Sequence, residues 1–115
     1  MYSSQLLDHF EHPRNSGELK GASARVQIEN PACGDMLEMA VRLVGNRVDD
    51  IRFRAKGCVP AMACASAITE LAKGKPIDEA RAIEREDVMG AVGGLPPASR
   101  HAAQLAIDAL RAVLR

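Results

Sequence analysis

Four residues carry side chains that bind soft or borderline metal ions and stand where the chain changes direction. Cys33 and Asp35 lie in a turn, Cys58 lies where a strand gives way to a helix, and His101 begins a later helix. Two thiolates, an imidazole and a carboxylate make a tetrahedral set suited to zinc or ferrous iron. The spacing is not that of a CxxC pair, so convergence of the three segments is what the fold must supply. At Cys58, the alternation of Ile51, Phe53 and Ala55 with Arg52, Arg54 and Lys56 runs into Gly57, and Pro60 then suits the first turn of a helix. Unpaired N–H groups and the macrodipole at such a place favour thiolate, the form that binds metal or attacks sulfur. The other reading of Cys58 is a buried structural cysteine. A helix start disfavours imidazolium, so His101 stays neutral and able to coordinate. Cys64 shares a helical stripe with Ala61, Ile68 and Leu71 and reads as a small buried hydrophobe, opposite a polar stripe of Ser66, Glu70 and Lys73. His9 and His12 lack a third ligand nearby and read as solvated.

The elements that must position these residues follow from periodicity. Ser3 and Ser4 are candidate caps for a short helix carrying Leu6, Leu7 and Phe10, which His12-Pro13 stops. Ser23 to Glu29 alternates as a first strand, with Val26 and Ile28 on one face. Asn30 to Asp35 has turn chemistry, and Leu37, Met39, Val41 and Leu43 then mark a second strand. Gly45-Asn46-Arg47 turns tightly into the third, so the pattern is an antiparallel meander whose apolar face the later helices must cover. The helix after Cys58 closes at Lys73-Gly74, and a short helix follows Pro76. Ile83 to Gly94 holds a further helical piece, and Leu95-Pro96-Pro97 is an extended linker into a last helix from about Ala98 onward.

Length and composition narrow the classes. The 115 residues suit a single domain, 1–115, of α+β class. Apolar residues are 47%, yet there are only two Phe, one Tyr and no Trp, so the core is aliphatic and rich in Ala. Fifteen basic residues balance fifteen acidic ones, so no global field draws the chain to nucleic acid or membrane, and the basic face of the third strand reads as solvated. No apolar run reaches transmembrane length, and no signal peptide precedes the first helix. Three cysteines without disulfide-framework spacing fit a reduced, cytoplasmic setting with metal or sulfur chemistry.

Several motifs in order carry a resemblance over nearly the whole chain. They are Leu7-Asp8-His9-Phe10-Glu11-His12-Pro13-Arg14-Asn15, Asn30-Pro31-Ala32-Cys33-Gly34-Asp35, Gly57-Cys58 with its small-residue helix Ala61 to Glu70, Lys73-Gly74-Lys75, and Leu95-Pro96-Pro97 before His101. With them the chain resembles the U-type iron–sulfur cluster assembly scaffolds, the IscU and NifU N-terminal domain family. The resemblance implies a three-stranded antiparallel sheet packed by about five helices. It implies a site of Cys33, Asp35, Cys58 and His101 for iron or a [2Fe-2S] cluster, with zinc as the alternative metal. It also implies a protein that is not an enzyme, supplied with persulfide by a cysteine desulfurase and unloaded by apo iron–sulfur acceptor proteins.

Two departures bear on that expectation. The family's pattern has a cysteine directly after the histidine, where this chain has Ala102, which can neither bind iron nor carry a persulfide. The family's Leu-Pro-Pro-Val-Lys segment binds a chaperone in some members and is here Leu95-Pro96-Pro97-Ala98-Ser99, which weakens the case for an Hsp70-type partner. Three readings stay open: a cluster scaffold and carrier, a zinc-bound persulfide acceptor in a sulfur relay, and a degenerate paralogue acting through interactions alone. Retention of all four ligand-type residues argues against the third.

Overall fold

The computed structural model describes residues 2–30 and 34–115. Helix α1 (Ser4–Glu11) starts at Ser3, whose hydroxyl accepts the Leu6 N–H as an N-cap should. Three strands follow, β1 (Ala24–Asn30), β2 (Asp35–Val44) and β3 (Arg47–Lys56), in the order β1-β2-β3 and antiparallel throughout. The β2–β3 connection is a two-residue turn in which Gly45 takes a φ of 60°, as the tight hairpin requires. The meander expected from the alternation is therefore the one that forms.

The remaining helices cover one face of the sheet. They are α2 (Val59–Ala72), α3 (Ile77–Arg81), α4 (Arg85–Ala91) and α5 (Arg100–Val113), the last entered through a 3-10 turn at Pro97–Ser99. Leu37, Met39, Val41, Val48 and Ile51 point from the sheet into the core, where they meet Ile68 of α2 and Ile107 and Leu110 of α5. Much of the rest of that core is alanine, as the scarcity of aromatics foretold.

Helix α2 departs from the amphipathic stripe expected of it. Residues all round it are buried, including Ser66 from the stripe expected to face water and Thr69 beside it, while Leu71 is only half-buried. The physical reason is position. The helix touches α1, β3, α4 and α5, and its Ala, Ser and Cys side chains are small enough to let all of them approach.

Candidate metal centre

Asp35, the first residue of β2, comes within ligand distance of Cys58 and His101. Cys58 is the N-cap of α2 with Pro60 in the first turn behind it, and His101 lies in the first turn of α5. One ligand atom from each lies within 4.8 Å of the others. Asp35 Oδ2 is 3.3 Å from Cys58 Sγ and 3.4 Å from His101 Nε2, and Sγ is 4.0 Å from Nε2. Metal–ligand bonds of about 2.0–2.3 Å at tetrahedral angles separate their ligand atoms by roughly 3.3–3.8 Å. The oxygen, sulfur and nitrogen therefore already stand about as far apart as ligands of one small ion, and the donor set fits ferrous iron or zinc.

Neighbouring backbone fixes the direction of each donor. The Cys58 N–H donates to Asp35 Oδ1 at 3.0 Å, which leaves Oδ2 facing the other two donors. His101 Nδ1 lies 3.1 Å from the Ala98 carbonyl. A carbonyl only accepts, so Nδ1 carries a proton, and in the neutral ring Nε2 is the nitrogen that presents a lone pair to the centre. Asp35 is 2% exposed, whereas Cys58 and His101 are partly open to solvent. The centre therefore has a buried oxygen floor and an accessible sulfur and nitrogen rim.

Gly57, which the sequence marks only as a strand end and a motif residue, also shapes this site. A Cβ at that position would lie 2.1 Å from Asp35 Oδ1. Only glycine lets the end of β3 pass over the carboxylate. The signal was a glycine directly before the cysteine.

Of the expected ligand set, Asp35, Cys58 and His101 come together, and Cys33 lies outside the described residues. Cys64 is fully buried, and burial first, with a smaller contribution from Cys58, pushes its thiol up to about 12, as suits a core residue. Ala102 lies beside His101 at 1% exposure, in the packed layer.

His9 corrects a second expectation. It is 6% exposed, not solvated, and its Nδ1 lies 2.8 Å from Ser66 Oγ. The same hydroxyl oxygen accepts the Arg14 N–H at 2.9 Å, and the other ring nitrogen, Nε2, lies 3.8 Å from Glu70 Oε1. Burial first, then the Arg14 charge, holds the His9 pKa below its ordinary value against the opposing pull of Glu70 and Asp8. Asn15 adds a bond to Thr69 Oγ1 at 3.2 Å. The motif from Leu7 to Asn15 thus fastens α1 and the loop after it to α2, the helix that Cys58 caps.

Comparison with known proteins agrees with this architecture. The family profile described as "NifU-like N terminal domain" matches residues 1–115. The chain is 45% identical over 111 residues to iron-sulfur cluster assembly scaffold protein IscU 1 of Archaeoglobus fulgidus, covering 96% of this chain and 72% of the relative. It is 37% identical over 117 residues to the scaffold protein IscU of Escherichia coli K12, covering 98% and 91% respectively. The solved N-terminal NifU-like protein of Brucella abortus superposes with a TM-score of 0.79 at 20% identity, covering 98% of this chain and 91% of that one, a likeness of fold.

Proposed function

The chain belongs to the NifU-like N-terminal domain family, and from that footing we propose that it is an iron–sulfur cluster assembly scaffold, a carrier and not an enzyme. Its cargo is iron or a [2Fe-2S] cluster, held by Asp35, Cys58 and His101 together with Cys33. A cysteine desulfurase supplies the sulfur as persulfide, and apo acceptor proteins take the product. No helix among the described residues is long and apolar enough to cross a membrane. The observation that supports the reading most directly is the convergence of three unlike donors within 4.8 Å.

Each residue has a separable task. Cys58 offers the sulfur that remains reachable from solvent. His101, its Nδ1 held by the Ala98 carbonyl, offers the Nε2 nitrogen. Asp35 offers a hard oxygen beside soft ligands, the donor that iron in a sulfide environment gives up most readily. Elemental analysis of anaerobically purified protein tests the assignment. Cys58→Ser and His101→Ala should each lower affinity for ferrous iron or zinc by about tenfold or more, since even outer-shell changes do as much. Metal content unchanged in both variants would place the site elsewhere.

Ala102 supports a second reading. With no thiol after His101, the four-donor set satisfies one tetrahedral ion and leaves the chain a zinc-bound sulfur acceptor. Ala102→Cys separates the two readings. The added sulfur enters a packed layer, so it should lower stability by about 1 kcal/mol. It should also raise the yield of cluster formed with iron, cysteine and a desulfurase, read by visible absorption. If neither protein forms a cluster and the zinc form gains one sulfur atom by mass, the relay reading replaces the scaffold.

A further inference from the structure

The chain treats the two edges of its sheet differently. Along the outer edge of β3, the Phe53 N–H donates to the Asn15 carbonyl at 3.0 Å and the Gly17 N–H to the Phe53 carbonyl at 2.9 Å. Farther along, the Val48 N–H donates to the Lys75 carbonyl at 2.9 Å and the Gly74 N–H to the Val48 carbonyl at 2.8 Å. That edge is therefore closed by the chain itself. Among the described residues, strand β1 pairs with β2 alone, and their register runs unbroken from Ala24 to Asn30. It has no Pro, Lys or bulge, and its only charges, Arg25 and Glu29, are of opposite sign. Its inward side chains Ala24, Val26 and Ile28 stay half-buried, whereas Leu37, Met39 and Val41 on β2 are fully buried. Between this edge and α5 lies a groove of about 420 Å³, lined by Ile28, Glu29, Arg100, Gln104, Leu105 and Asp108 and bordered by His101.

We propose that β1 pairs antiparallel with β1 of a second copy of this chain, around a two-fold axis at Gln27, to make one sheet from two three-stranded halves. A two-fold interface must be self-complementary, so residues equally distant from the axis must suit each other. Two places either side of Gln27 stand Arg25 and Glu29, and four places either side of Gln104 stand Arg100 and Asp108. Each cation then meets the partner's anion in both layers. The half-spacings also agree, at about 6.6 Å for two strand residues and about 6 Å for four helical ones. Val26 falls opposite the second copy's Ile28, which completes burial of the half-covered strip. Arg25 donates to the Leu19 carbonyl through one nitrogen, at 3.1 Å, and keeps other N–H groups for the second copy. Gln104 takes only Oδ1 of Asp108, at 2.9 Å. Because His101 borders the groove, pairing also covers one flank of the metal centre.

Sedimentation velocity of the full chain, from low micromolar to submillimolar concentration, tests the proposal. The parent should dimerise. Glu29→Arg sets two like-charge pairs across the axis and should raise the dissociation constant by about tenfold or more. Arg25→Glu with Glu29→Arg restores both pairs and should return it to near the parent value. Asp108→Arg, alone and with Arg100→Asp, repeats the exchange on the helix layer without touching the strand. Gln27→Cys should form a disulfide between the two introduced thiols on oxidation, identified by peptide mass, since directly opposed strand residues lie within disulfide reach. A parent that stays monomeric throughout, with a Gln27→Cys variant that yields no such disulfide, overturns the proposal. So does a dimer indifferent to both charge exchanges, or a monomer whose β1 amides respond only to a foreign extended peptide.

Discussion

Gly57 and Asp35 are bound to each other by distance. A methyl group on Gly57 would also lie 2.9 Å from the Asp35 Cα, and the glycine's φ of 138° is one that side chains rarely accept. Gly57→Ala should therefore destabilise the fold by roughly 1–3 kcal/mol. It should also weaken zinc or iron binding, because relief comes by pushing the carboxylate off the centre. Melting with and without zinc separates the two effects, and a variant stabilised by zinc as much as the parent would show that Asp35 had not moved. Asp35, Cys58 and His101 were candidates in the sequence as ligand-type residues at element ends, and the family resemblance grouped them; the structure brings the three together. Gly57 was not a candidate. Its constraint comes from a residue 22 positions earlier, across the sheet, and no local pattern records that approach.

Helix α1 has eight residues, too few to hold itself together, so its stability comes from what it touches. His9 and Ser66 are the polar part of that contact, and their burial has a pH signature. The folded pKa of His9 lies below its ordinary 6.5, so below that pH the unfolded chain binds the proton more readily than the folded one. Stability should be full above about pH 6.5 and fall as pH drops toward the folded pKa, over the range where His9 charges only on unfolding. Urea midpoints measured across this range should show the slope, and His9→Gln should flatten it. An equal slope in both proteins would assign the effect to another group. The sequence placed α1 and its cap correctly but left His9 in water. One turn of helix cannot show which side a partner will cover, and the partner here stands 57 residues away. The same limit hid the burial of α2 on every side, since alanines and serines give periodicity little contrast.

At the scale of the molecule, the meander and the helical cover followed from alternation and turn chemistry. Convergence of the ligands followed only from long connections that the sequence does not specify locally. Asp35 and Cys58 are 23 residues apart, and Cys58 and His101 are 43. No fragment of the chain brings the three donors together, so a metal held there would recognise the finished fold and should stabilise it by mass action, by about 2.7 kcal/mol at a hundred times its dissociation constant.

The long separations also give the centre a place in time. Contacts that close late in folding leave the folding rate nearly unchanged and act on unfolding. Zinc should therefore slow unfolding in denaturant while leaving refolding close to that of the empty chain. A refolding rate that rose in proportion to stability would mean that the three donors meet early. If unfolding alone responds, a loaded chain resists proteases that need the open form for longer than an empty one. The lifetime of the protein then reports whether it is carrying anything.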